Sequence, residues 1–138
     1  MRRLLLGHAA LRPGQPRPNY NSNPPTSGAH ASKPVTRAGV PLNDDQLLSA
    51  LQVGDVVILY GGGRPPAGLE QFVRSAAPPF TPGLAATGNA VILAPRRGTE
   101  GVVALAWAHL LRVQRASDPM LREFVGFWLG RGAPGSSG

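Results

Sequence analysis

The stretch NDDQLLSALQVGDVVILY, residues 43–60, changes at Gly54 from the hydrophobic spacing of a helix to that of a strand. Asn43 can accept from the backbone N–H groups of a first helical turn, and Gln46 stands three residues on, as in a capping box. Asp44 and Asp45 suit the positive end of the helix dipole. The start and stop signals predict a helix of about two turns over 44–52, with Leu47, Leu48 and Leu51 turned to a core. From Asp55 to Tyr60 the β-branched and aromatic run, closed by Gly61, Gly62 and Gly63, predicts a buried strand.

The flanks extend this helix-and-strand pattern. Leu69, Phe72, Val73 and Ala76 form the stripe of a second helix, which Pro78, Pro79 and Pro82 end. NAVILAP, residues 89–95, reads as a second strand, and the turn over 96–101 leads into a third, VVALAWAHLLRV, residues 102–113. Taken as one continuous strand, this last run puts Val103, Leu105, Trp107, His109, Leu111 and Val113 on one face. Asp118 caps a final helix, Pro119 fits its first turn, and Leu121, Phe124, Val125, Trp128 and Leu129 make an apolar face that stops at Gly130. The expected fold class is α+β: a small mixed β-sheet of about three to four strands packed with helices. Residues 1–42, broken by Pro13, Pro16, Pro18, Pro24, Pro25, Pro34 and Pro41, form an N-terminal Pro-rich extended arm packing on the domain. Residues 43–130 are the α/β core, and 131–138 a disordered tail.

A chain of 138 residues, 42% of them hydrophobic, is long enough for one core. It has no cysteine, so disulfides, thiolate nucleophiles and cysteine-bound zinc are excluded, and any metal would need histidine and oxygen ligands. The net charge is +7, and before Asp44 the basic residues Arg2, Arg3, Arg12, Arg17, Lys33 and Arg37 meet no acid. These cations are scattered, with few aromatics to stack bases, so nucleic acid is the less favoured partner. The opening MRRLLLGHAALRPG has the arginines of a signal peptide, but Gly7 and His8 interrupt its apolar run. No run approaches the roughly 18 apolar residues of a membrane span. The expectation is a soluble protein, cytoplasmic if no upstream signal or anchor precedes it.

The polar stretch NYNSNPPTSGAH, residues 19–30, carries the one specific motif, Pro24-Pro25-Thr26-Ser27-Gly28 with His30. Together with GHAALRPG, VVILY, VILAP, VALAWA and the aromatic last helix, it resembles the bacterial domain-of-unknown-function family 3105 over nearly the whole chain. His8, Tyr20, Pro24, Pro25, Thr26, Ser27, Gly28 and His30 match that family's pattern residue by residue. The resemblance also implies a Leu-Val-His-Asn-Leu-Glu-His-Gly segment before the first strand, which with the motif histidine looks like a metal-binding set. Here that segment reads Leu47-Leu48-Ser49-Ala50-Leu51-Gln52-Val53-Gly54, so the two histidines fall on Ser49 and Val53 and the glutamate on Gln52. The family's later Gly-any-Tyr pattern is replaced too, by Val40 beside Gly39.

The resulting expectation is a non-catalytic binding or assembly domain whose binding residues are Tyr20, Pro24, Pro25, Thr26, Ser27, Gly28 and His30. The prolines fix an extended backbone, Ser27 and Gly28 turn it, and His30 pins the arm through a hydrogen bond. No cofactor is required by this reading. The alternative is a metalloprotein holding zinc or copper through His8, His30 and His109; a basic nucleic-acid-binding domain is a second. Ser27 and His30 lack a third group to orient the histidine, and YGGGRPP lacks the Gly-Lys-Ser/Thr ending of a phosphate loop. The partner expected is an unknown protein or a second copy of the chain, with Tyr20, Arg37 and the basic arm as a surface and Phe127 beside Trp128 as a dimer contact.

Overall fold

The computed structural model describes residues 24–28 and 30–134. Its elements run α1 (Asp44–Val53), β1 (Val56–Tyr60), α2 (Leu69–Ala76), α3 (Pro82–Ala86), β2 (Val91–Pro95), β3 (Val102–Ala106), β4 (His109–Val113) and α4 (Pro119–Trp128). The strands form one mixed sheet in the order β2-β1-β3-β4. β1 pairs parallel with β2 and antiparallel with β3, and β3 pairs antiparallel with β4. The α+β class is therefore the observed one.

All five residues of β1 are buried, as its apolar run requires when both faces of a central strand are covered. On one face Val57, Leu59, Ile92, Ala94, Val103 and Leu105 pack against Leu47, Leu48 and Leu51 of α1, with Val35 and Ala85 beside them. On the other, Val56, Ile58, Val91, Val102 and Ala104 meet Leu69 and Phe72 of α2 and Leu121 and Val125 of α4. The capping box of α1 forms as its sequence directs: Gln46 N donates to Asn43 Oδ1 at 2.9 Å, and Asn43 N donates to Gln46 Oε1 at 3.2 Å. Gly54, at φ +123°, ends the helix and turns the chain into β1. Asp118 caps α4 by accepting from Met120 N at 2.9 Å.

Two readings of the sequence need correction. Pro82 does not terminate a helix; it opens α3, with Thr81 Oγ1 accepting from Leu84 N at 3.0 Å. Proline is favoured in a first helical turn because its missing N–H has no partner to lose there. The run 102–113 is a hairpin rather than one strand, turning at Trp107 and Ala108. Because the chain reverses, His109 stands opposite Ala106 and shares its face, while Trp107 packs on the α1 face. The turn carries no glycine or asparagine, which is why it is silent in the sequence.

Packing also continues past Gly130. Gly130 N donates to Gly54 O at 2.8 Å, Ala133 N donates to Gln52 O at 2.9 Å, and Ala133 is buried in the α1 layer. Gly88 is tightly enclosed here, since a Cβ on it would collide with the Val53 carbonyl oxygen.

Ala108 is the one described non-glycine residue at positive φ, +65°. Left-handed backbone costs an L-residue about 1–2 kcal/mol, part of which glycine's extra freedom in the unfolded chain offsets. Ala108→Gly is expected to raise stability by about 0.5 kcal/mol, read as a higher urea midpoint at unchanged slope; a lowered midpoint would contradict the strained turn.

Candidate functional site

The motif is buried. Pro24, Pro25, Thr26, Ser27 and Gly28 are all buried, and His30 is 2% exposed. Thr26 O accepts from Ala108 N at 2.8 Å, so the motif closes over the β3–β4 turn at its strained residue. Gly28, at φ +133°, supplies backbone geometry that side-chain-bearing residues rarely adopt. Its carbonyl accepts from His30 Nδ1 at 2.9 Å, and since a carbonyl oxygen only accepts, Nδ1 carries the hydrogen. The imidazole then lies 6.1 Å from the Trp107 ring, tilted by 54°.

Beyond His30 the chain runs as a strap along α1, tied by side chains on one side of that helix. Asp45 Oδ1 accepts from Ala31 N at 3.1 Å, and Gln46 Nε2 donates to Pro34 O at 3.2 Å. Ser49 Oγ accepts from Lys33 N at 3.0 Å and donates to Ala31 O at 3.3 Å. Val35 then enters the core, and Gly39 N donates to Leu93 O at 2.8 Å, closing the outer edge of β2.

Between strap, α1 and α3 lies a cavity of about 220 Å³. The strap contributes Ser32, Lys33, Pro34 and Val35. The C-terminal half of α1 contributes Ser49, Ala50 and Val53, and α3 contributes Pro82, Ala85 and Ala86. Ser49 and Val53, the positions at which the family resemblance implies histidines, thus line a common wall.

The remaining lining residue is Asp55, which no motif in the sequence singles out. It is 1% exposed. Its N–H donates to Ala50 O at 3.0 Å, and its Oδ1 accepts from Ala90 N at 2.9 Å, joining the start of β1 to that of β2. Oδ2 has no hydrogen-bond partner among the described residues. Burial pushes its carboxyl up from 3.8 to about 7, against the smaller opposing effect of the Ala90 N–H.

The structure does not bring His30 and His109 together. His30 belongs with Trp107 on the α1 face, whereas the His109 ring stacks on Trp128 at 3.7 Å on the α4 face. Tyr20 and His8 lie outside the described residues. Among the described residues no group of three or more histidine, aspartate or glutamate side chains is placed to hold a metal ion. No described helix is long and apolar enough to cross a membrane.

The chain matches the model of the family described as Protein of unknown function (DUF3105) over residues 14–135. It belongs to that family. No curated protein and no solved structure matched the chain.

The raised carboxyl of Asp55 gives stability a definite pH dependence. Between its ordinary value of 3.8 and about 7 the folded chain holds a proton that the unfolded chain has released. Its contribution is therefore full below about pH 4 and is lost as pH rises through about 7, a fall on the order of 4 kcal/mol. Asp55→Asn keeps an oxygen for the Ala90 N–H and removes the titration. Urea unfolding at pH 4.5, 6 and 8 is expected to give a wild-type-minus-variant difference that becomes steadily less favourable to wild type; a flat difference would contradict the assignment.

Proposed function

We propose that this domain is a non-catalytic binding module whose ligand is a small molecule seated in the cavity behind the strap. The observation that carries this reading is the juxtaposition of a mainly apolar cavity with a lining residue, Asp55, whose buried Oδ2 has no partner among the described residues. A cleft with apolar walls and few placed polar groups is the usual form of a small-ligand site. In this reading the motif residues Pro24, Pro25, Thr26, Ser27, Gly28 and His30 are not contact residues. They hold the strap, and the strap makes one wall. Catalysis is not part of the reading, because the His30 Nδ1 hydrogen is committed to a backbone carbonyl rather than to an acidic side chain.

A second reading, self-association, is favoured by Phe127 and Met120, each 54% exposed on α4, and by β4 as an outer strand of the sheet. Unpaired sheet edges beside apolar side chains are templates for association.

Screening the ¹⁵N-labelled domain against a small-fragment set of amines, acids and neutral compounds is expected to shift the amides of Ser49, Val53 and Ala85 together. Val53→Phe, which narrows the cavity, is expected to abolish those shifts with the rest of the spectrum retained. Shifts gathered elsewhere, or none, would overturn the binding reading. For self-association, sedimentation velocity over rising concentration is expected to show a dimer that Phe127→Ser removes; monomer throughout would dismiss it.

A further inference from the structure

Asp55 lines the cavity, and its buried carboxyl gives Oδ1 to the Ala90 N–H, while Oδ2 has no hydrogen-bond partner among the described residues. Resting on the binding reading above, we infer that the cavity takes a short, unbranched primary alkylammonium ion, its head group on Asp55 Oδ2 and its chain between α1 and α3.

Three features select this class. With one oxygen available, the site matches a single point donor such as an ammonium group better than the two-pronged fork of a guanidinium. A bare metal ion would need several donors, and besides Asp55 the lining offers only serine oxygens and backbone, with Ser49 Oγ already used twice by the strap. The walls contributed by Val35, Val53, Ala85 and Ala86 suit methylene groups. The space of about 220 Å³ is far above the roughly 10–15 Å³ that one water needs, so a short chain fits.

The charges around Asp55 are few. Among the described residues, Lys33 on the strap is the other ionisable lining residue. On α1, Asp44 is paired with Arg96 at 3.5 Å, and Asp45 holds the Ala31 N–H. α3 and β2 contain no ionisable residue, and Arg131 of the C-terminal segment is bonded to Phe127 O. Asp55 is 1% exposed, so the inference requires α3, a single turn, to shift as the head group enters.

Binding exchanges a proton for a cation. Near and below neutral pH the Asp55 carboxyl holds its proton, with a value of about 7. The incoming ammonium keeps its own hydrogens, the carboxyl releases its proton to the buffer, and a carboxylate–ammonium pair remains. Affinity must then fall about tenfold for each pH unit below 7.

The test is an NMR titration of the folded chain with n-butylammonium chloride and with n-butanol, at pH 8 and pH 6. Expected are saturable shifts at Ser49, Val53 and Ala85 with n-butylammonium, weakened about tenfold at pH 6 and at least tenfold at pH 8 by Asp55→Asn. Calorimetry at pH 6 in two buffers of different ionisation enthalpy is expected to report close to one proton released per ion bound. If n-butanol binds as tightly, or the variant stays within twofold of wild type, the ammonium inference is overturned while a binding cavity stands. If nothing at all perturbs the cavity amides, both fail. Should Asp55→Asn not fold, the two-buffer calorimetry on wild type decides alone, and an absence of proton release overturns the inference.

Discussion

The burial of β1 on both faces organises the molecule. A strand with no exposed residue needs two covering layers, and a chain of this length has few helices to provide them. α2 and α4 divide one face between them. On the other, α1 is only ten residues long and cannot cover a four-stranded sheet alone. The remaining cover comes from irregular backbone: the strap with Val35, the single turn of α3 with Ala85, and Ala133 near the C-terminus. Irregular backbone laid over a core needs partners for its polar groups. That need explains why Asp45, Gln46 and Ser49 of α1 all bond to strap backbone.

How much of this could be read from sequence follows the range of each interaction. The start of α1, the run of β1 and the cap of α4 depend on residues within four positions of one another, and the sequence states them almost completely. The β3–β4 turn depends on a residue far away in the chain. Ala108 is held left-handed by a fold in which Thr26 accepts its N–H, and no local signal such as Asn-Gly marks it. Missing that turn reverses the face of every residue from His109 to Val113, which is how His109 came to be grouped with Trp107. α3 was hidden differently, because Pro82 carries the same letter whether it stops a helix or starts one. The motif was visible as a motif, but its burial was not, since Pro-Pro-Thr-Ser-Gly has the composition of an exposed turn.

Ser49 shows how a position can change its work. The family resemblance implies histidine at 49 and 53, one helical turn apart on the same side of α1. Here Ser49 joins two strap groups, and Val53 gives the cavity an apolar wall. Neither residue gives that wall an imidazole nitrogen, and strap, α3 and Asp55 supply the rest of the lining.

Asp55 is the residue whose chemistry exceeds what the fold requires. Its structural duty is to accept one N–H from Ala90, and a neutral asparagine could perform that duty without a charge to desolvate. A carboxylate there weakens the folded state across the neutral range, because burial favours its protonated form. Fold and burial thus both argue for a neutral side chain, and the residue present is ionisable and lines a cavity. On the proposed reading, a ligand that supplies the missing positive charge removes the conflict: it pairs Oδ2, which has no partner among the described residues, and turns a destabilising carboxylate into half of an ion pair. The strap and the short α3, which line the cavity with Asp55, then have one common consequence, which is to hold the carboxyl away from water so that such a pair can form there.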